Sequence, residues 1–377
     1  MTKSCLVIAG EKSGEDHFLS LLPGLKASCP DIDFWGVGGD EMKQKGVALK
    51  YHLKEFSSWG YTEVISKIPF YLKALKEIED ECLKRKTQSA ILIDFQDFNL
   101  KLAQRLQKKG VKIFYYVAPQ AWAWKGWRGK KIARAVHSLF VILPFEKKWF
   151  LDRGVERVFS VNHPLWKTHQ DHFPLIQEKK SKPINPEKIK ILLLPGSRKS
   201  EVEMLLPEFR EALKYLGKDY KFEVSMVRAR HLPKELYGKI EEYVDCEYTD
   251  DQLGQAFLEN DLALAASGTV TLTCALYAVP TIVSYKTSLL NEYLFYTFVQ
   301  YRGPISLANL IFNKMVFPEF LAERASGYNL YQQLKAWLSD MNQLQELRTE
   351  LLKTQSLISG EMQTAGEYIG EKINSDT

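Results

Sequence analysis

Cysteine is scarce and unpaired by spacing. Cys5, Cys29, Cys82, Cys246 and Cys274 are odd in number, widely separated and contain no C-x-x-C pair, which excludes a zinc finger or disulfide scaffold and predicts reduced thiols. No apolar run approaches the roughly 18 residues that span a bilayer, and the apolar stretch within Met1–Gly10 is too short for a signal-peptide core. Neither sign of charge dominates. Lys plus Arg total 51 against 46 Asp plus Glu, a net charge of +5, so a histone-like role is excluded and no nucleic acid partner is expected. No internal sequence repeat is present. What remains is a chain of 377 residues, 45% apolar and 26% charged, an ordinary globular composition. At roughly 150 residues per domain it predicts two domains. The expected location is the cytoplasm, with surface attachment to a membrane left open.

Short apolar runs alternate with amphipathic segments, the pattern of βα units on a parallel sheet. The spacing predicts strands at Cys5–Ala9, Asp33–Val37, Ala90–Ile93, Ile113–Val117 and Leu139–Leu143, then at Ile189–Leu194, Phe222–Val227, Leu262–Ala265 and Thr281–Ser284. Between the two series the polar stretch 167–188, with Pro174, Pro183 and Pro186, reads as a linker. The expected domains are therefore 1–166, linker 167–188, 189–328 and a C-terminal helical segment 329–377. Two doubly wound α/β domains place ligand loops after the carboxyl ends of strands.

Those loops hold the candidate chemistry. Gly10-Glu11-Lys12-Ser13-Gly14 is a glycine-bounded turn entering a helix, neither a P-loop nor G-x-G-x-x-G, and reads equally as a plain turn or a sugar or phosphate site. Gly36–Gly39 has the same ambiguity. Ile91–Ile93 runs straight into Asp94, Asp97 and Asn99; desolvation at a strand end fits Asp94 to act as a general base, while Asp97 reads as a cap for the next helix. The loop with Trp122, Trp124 and Trp127, followed by Lys130, Lys131 and Arg134, suits stacked bases, a glycan or anionic lipid, against core packing for one or two of the rings. Pro195–Arg198 joins a cation to a helix start, and Ser267-Gly268-Thr269 repeats the turn without one. Each alone reads as a structural turn; together they imply a nucleotide diphosphate. Asp31-Ile32-Asp33 reads as a solvated turn, and His169 and His172 lack carboxylate or thiol company, so no metal is expected.

In order, AGEKSGE (Ala9–Glu15), GVGG (Gly36–Gly39), WGYTEV (Trp59–Val64), IDFQDFN (Ile93–Asn99), YVAPQAWAW (Tyr116–Trp124), LPFE (Leu143–Glu146), LPGSRKSEVE (Leu194–Glu203), SGT (Ser267–Thr269) and SLANL (Ser306–Leu310) resemble the lipid-A-disaccharide synthase family along almost the whole chain. The resemblance implies a GT-B fold, two Rossmann-like domains facing across a cleft. It implies an inverting transfer from UDP-2,3-diacylglucosamine to 2,3-diacylglucosamine 1-phosphate, giving a β-1,6 disaccharide and UDP with no cofactor or metal. By the same resemblance Asp94 takes the acceptor hydroxyl proton and Glu11 and Ser13 line the acceptor side. Ser197 and Arg198 hold the diphosphate, and Ser267, Gly268, Thr269 and Asn309 complete the donor pocket.

Four positions depart from the family pattern. Thr273 stands where a glutamate would grip the ribose, Asn162 replaces a glycine before His163, Glu15 replaces an aspartate, and Ala308 replaces a proline. They leave Asp94 and Arg198 in place and bear on donor affinity or identity, so a divergent paralogue with low turnover or another donor is the second reading. Because both family substrates are lipids, the cluster Trp59, Tyr61, Ile65, Ile68, Phe70, Tyr71, Leu72 and Leu75 with Lys67, Lys73 and Lys76 suggests a peripheral contact with the cytoplasmic face of the inner membrane through Ile68, Tyr71 and Leu72. The alternative is a helix packed in the core. A homodimer is compatible with these features and not required by them.

Overall fold

Strands that are apolar on both faces occupy the centre of a parallel sheet, because helices cover both of its sides. Cys5–Ala9, Ala90–Ile93 and Ile189–Leu194 are the clearest such runs, and in the computed structural model, which describes residues 3–56, 67–122, 126–238, 240–286, 303–362 and 364–375, they lie at the centres of two separate sheets. The chain divides into two compact units, Met1–His163 with Gly360–Thr377, and Pro164–Ser359.

The first unit holds β1 (Lys3–Ala9), β2 (Ile32–Gly38), β3 (Ala48–His52), β4 (Ser89–Ile93), β5 (Lys112–Tyr116), β6 (Ser138–Val141) and β7 (Val158–Ser160), all parallel, in the order β3-β2-β1-β4-β5-β6-β7. Its helices are α1 (Lys12–Ser28), α2 (Asp40–Gln44), α3 (Leu53–Phe56), α4 (Ile68–Lys84), α5 (Gln96–Gln107), α6 (Arg128–Ala135) and α7 (Pro144–Leu151). Side chains alternate across the strands. Leu6, Ile8, Ala90, Leu92, Ile113 and Tyr115 pack under α4, α5 and α6 on one face. Cys5, Val7, Ala9, Ile91, Ile93 and Phe114 pack on the other, under α1 and a late helix (Ala365–Asn374) that returns from the end of the chain. Ala9 pairs with Ile93, and Ile93 with Tyr116, so three strands end at one level. Strand order reverses between β1 and β4, which opens the loops after them at a topological switch point.

The second unit contains α8 (Pro164–His169), α9 (Phe173–Ser181), β8 (Ile189–Leu194), α10 (Lys199–Leu216), β9 (Phe222–Arg228), β10 (Cys246–Thr249), α11 (Leu253–Glu259), β11 (Leu262–Ala266), α12 (Thr269–Leu276), β12 (Thr281–Tyr285), α13 (Leu307–Phe312), β13 (Glu319–Leu321), α14 (Gly327–Ser339), α15 (Met341–Leu351) and α16 (Thr354–Leu357). Its parallel sheet runs β10-β9-β8-β11-β12-β13, with a second switch point between β8 and β11, where Leu194 pairs with Ala265.

Two boundaries differ from those expected. The stretch 167–188 is not an open linker: α8 and α9 belong to the second unit, with Ile176 fully buried. Pro164 opens α8 and Pro174 stands in the first turn of α9, where a missing N–H costs nothing, so these prolines start helices instead of breaking them. The C-terminal helical segment is divided as well. α14 and α15 pack on the second unit's core, whereas α17 (Ala365–Asn374) lies on α1 in the first unit. A Cβ at Gly24 would stand 2.7 Å from the Glu367 nitrogen, so glycine is what lets α1 and α17 touch.

Candidate active site

At the switch point of the first unit the chain turns sharply. Asp94 and Phe95, directly after β4, have φ of 46° and 45°, left-handed values that cost a non-glycine residue free energy unless neighbours hold them. The neighbours are identifiable. The Asp94 N–H donates to the Tyr116 carbonyl at 2.9 Å, and the Asp94 carbonyl accepts from the Tyr115 hydroxyl at 2.8 Å and from Asn99 Nδ2 at 2.9 Å. Asn99 Nδ2 also reaches the Ile93 carbonyl at 3.1 Å. Asn99, fully buried in the first turns of α5, is therefore not a simple cap; it ties the helix back to the strained elbow. Asp97 does not cap either, because its carboxylate pairs with the buried Arg128, which also donates to Gln96 at 3.0 Å.

The elbow holds Asp94 in a largely desolvated place beside Glu11. Burial, reinforced by the Glu11 charge and opposed by the Phe95 N–H, raises its pKa to about 6 from 3.8. Such a carboxylate is ionised at neutral pH yet takes a proton more readily than an ordinary aspartate. Glu11 is the N-cap residue of α1 and Ser13 lies exposed in its first turn, at the level where β1 and β4 end. The Phe95 ring lies against Gly10, where a Cβ would be 2.8 Å from it. Phe95 also belongs to an aromatic group with Phe56, Phe70, Tyr71 and Phe98.

A second acid stands nearby. Glu146 in α7 is almost wholly buried; it accepts from Trp122 Nε1 at 2.9 Å and from the Leu143 N–H at 3.2 Å. Burial, opposed by these bonds and reinforced by the charge of Asp94, raises its pKa to about 8, so it is mostly protonated at pH 7. Trp122 thus faces a buried carboxyl, whereas Trp127 is 54% exposed with Lys131 Nζ 4.3 Å above its ring. Trp124 and the WGYTEV segment lie outside the described residues.

The candidate membrane residues separate. Ile68 is 47% and Leu72 50% exposed on α4. Tyr71 is not an outward residue: its ring packs among Phe56, Phe70, Phe95 and Phe98, and its hydroxyl donates to the Phe56 carbonyl at 2.8 Å. Helical spacing explains this, since position 71 shares its face with the buried Leu75, Ile78 and Cys82.

In the second unit, the switch point opens a cavity of about 350 Å³ lined by Gly196, Ser197 and Arg198 after β8 and Glu201 in α10, by Ser267 and Gly268 after β11 and Thr269 and Val270 in α12, and by Val227 in β9, Ala229 after it, Asp250 after β10 and Leu253 in α11. Five of the six residues expected on the donor side meet here. Arg198 is 81% exposed and donates to Glu201 Oε1 at 3.0 Å. Among the described residues no side chain caps the start of α12, whose first residues Thr269 and Val270 line the cavity.

Asn309 is not brought to this wall. It is fully buried, with Nδ2 donating to the Phe317 carbonyl at 2.8 Å and to Glu319 at 2.7 Å, and Oδ1 accepting from the Phe317 N–H at 2.8 Å. Thr273 is buried in α12 and is not part of the cavity lining. His169 and His172 both turn Nδ1 to the Tyr277 hydroxyl, at 2.8 and 2.5 Å. Tyr115, Glu146, Glu201 and Asp250 are not singled out by the sequence, although Glu146 and Glu201 lie in the motifs LPFE and LPGSRKSEVE. Asn99, which ends IDFQDFN, braces the elbow where a helix cap is the expectation.

A desolvated carboxylate in one unit and a cavity with a cation on its wall in the other suit glycosyl transfer. MurG of Acinetobacter baumannii superposes with a TM-score of 0.61 over 99% of both chains at 13% identity, and the calicheamicin glycosyltransferase CalG4 with 0.57 over 99% of this chain and 98% of that one at 11% identity. At such identities the likeness shows the GT-B fold alone. Sequence goes further. Lipid-A-disaccharide synthase 1 of Legionella pneumophila is 33% identical over 364 residues, 94% of this chain and 93% of that protein. The family model described as lipid-A-disaccharide synthetase matches residues 5–373, a span that takes in both sheets and all nine motifs, and the chain accordingly belongs to that family.

Proposed function

We propose that this protein joins UDP-2,3-diacylglucosamine to 2,3-diacylglucosamine 1-phosphate by a single inverting displacement with Asp94 as the base. As the acceptor 6-hydroxyl oxygen attacks the anomeric carbon, its proton passes to the Asp94 carboxylate and the bond from that carbon to the UDP oxygen breaks. The leaving diphosphate gains negative charge, which the Arg198 guanidinium and the open amides of α12 would stabilise. Asp94 then returns its proton to solvent. The observation that carries this reading is the elbow at Asp94–Phe95: a backbone strained in two consecutive residues, held by Tyr115, Tyr116 and Asn99, presents one desolvated carboxylate at the switch point. Incubating the purified protein with both acylated substrates and following UDP release tests it; no release above the enzyme-free rate overturns it.

The same reading puts the protein on a lipid surface. No helix among the described residues is long and apolar enough to cross a membrane, so contact would be peripheral. Support comes from one face of the first unit, where α4, α5 and α6 lie on the same side of the sheet. There Ile68, Leu72 and Trp127 are exposed. Lys76, Lys101, Lys130, Lys131 and Arg134 are exposed too, without an acidic partner among the described residues. Apolar anchors among unpaired cations match the cytoplasmic leaflet of an inner membrane. The second reading, another donor, is tested by the same assay: UDP release with the named donor but not with other UDP-sugars decides against it.

A further inference from the structure

We propose that Glu201 is a resident anion of the donor cavity, and that the diphosphate of the donor or of UDP must displace its carboxylate from the backbone N–H groups of Ser197 and Arg198 in order to use them. The inference rests on the nucleoside-diphosphate reading of this cavity. Glu201 Oε2 accepts from the backbone N–H of Ser197 and of Arg198, each at 3.2 Å, and Oε1 accepts from Arg198 Nη1 at 3.0 Å. These are the groups that a phosphate at this helix start would need. Space for the carboxylate is built in. Gly196 has φ of +104°, and a Cβ there would lie 2.5 Å from Glu201 Oε2.

The charges around the cavity point the same way. Arg198 is paired with Glu201, and Asp250 with Arg230 at 2.7 Å. His231 Nε2 rests 2.9 Å from the Ser197 carbonyl. Among the described residues, no side chain caps the start of α12 at Gly268 and Thr269, which leaves that positive pole unmatched by them. A diphosphate can take that end directly and can meet the outer N–H groups of the Arg198 guanidinium, of which Glu201 engages Nη1, whereas the Ser197 and Arg198 amides come to it only in exchange for the carboxylate. Since both anions compete for the same donors, Glu201 weakens the grip on UDP and re-forms its own bonds as UDP departs, which favours product release.

The test is calorimetric titration of the full chain with UDP and with uridine, for wild type, Glu201→Gln and Glu201→Ala. Removing the charge is expected to tighten UDP by about tenfold while uridine affinity stays unchanged. In steady state the donor KM falls and kcat does not rise. Weaker or unchanged UDP binding in both variants, with uridine unchanged, overturns the proposal and leaves Glu201 as a brace for the loop. Wild type that binds no UDP removes the reading of the cavity itself, a result distinct from the first. Glutamine keeps an acceptor for the Ser197 and Arg198 amides, and if it misfolds the alanine variant answers the same question.

Discussion

Replacing Asp94 by asparagine separates the chemistry of the elbow from its architecture. Asparagine tolerates left-handed backbone better than most residues, and the Tyr115 and Asn99 bonds go to the main-chain carbonyl, so the turn survives. What disappears is the proton acceptor proposed for the transfer. Loss of a general base costs on the order of 10² to 10⁴ in rate. With a pKa of about 6, the base is ionised roughly ten to one at pH 7, so wild-type kcat/KM should rise with unit slope below pH 6 and level above pH 7. The acid limb should vanish in Asp94→Asn. Stability moves in the opposite direction. Asp94 binds its proton more tightly folded than unfolded, so it destabilises the fold increasingly as pH rises from 3.8 toward 6. Asparagine removes that cost, which, discounted for partial exposure, is about 1–2 kcal/mol at pH 7 and raises Tm by roughly 2–8 °C for a unit of this size. Glu11→Gln should shift the acid limb to lower pH, because the Glu11 charge helps to raise the Asp94 pKa. The assay is UDP release across pH 5 to 9 beside thermal unfolding at pH 7. Near-wild-type turnover at saturating substrates, or a lowered Tm with lost activity, refutes the reasoning.

Asn309→Ala should lower stability by about 2–4 kcal/mol, because the Phe317 N–H and Glu319 lose their buried partner; chemical denaturation shows the loss, and UDP affinity by calorimetry should change less than twofold. Ile68→Ser with Leu72→Ser should leave the melting curve intact and release the protein from anionic vesicles in a flotation assay. Tyr71→Ser should instead destabilise the fold, since its ring and hydroxyl are both engaged. Burial lowers the pKa of His17, His163 and His169 to about 4 from 6.5, so the unfolded chain binds more protons between these values and stability should fall as pH drops from 6.5 toward 4, read as a decreasing Tm.

The nine strands read from sequence are those with apolar runs, and each is present. The four missed, β3, β7, β10 and β13, lie at sheet edges and are three to five residues long. Ala48–His52 has no buried residue and Cys246–Thr249 buries only Tyr248, the usual character of an edge, so periodicity has no apolar run to detect. Asp94 was legible because an acid ending a buried strand breaks a pattern. Asn99 was not, since its amide reaches backward to carbonyls that only the left-handed turn exposes. Glu201 reads in sequence as a first-turn acid, and its partners Ser197 and Arg198 become a cavity wall only when β8 and β11 pair. Asn309 is expected in the site by its motif, whereas its partners are Phe317, just before β13, and Glu319, which opens that short edge strand with no signature of its own.

The return of α17 to α1 has a bearing on how the protein is made. Asn162 Oδ1 accepts from the Gly360 N–H at 2.7 Å and Val161 bridges to Met362, so the second unit is threaded as one uninterrupted insertion between two adjoining points of the first. On a ribosome the inserted unit, residues 164–359, is complete while the surface of α1 that carries Leu21, Leu22 and Leu25 still lacks Ile369 and Ile373. Domains usually mature in the order of synthesis; here the unit that begins first closes last. Until α17 emerges, a nascent chain shows an apolar stripe on α1, and a message truncated near residue 359 would yield a finished second unit tethered to an unclosed first unit.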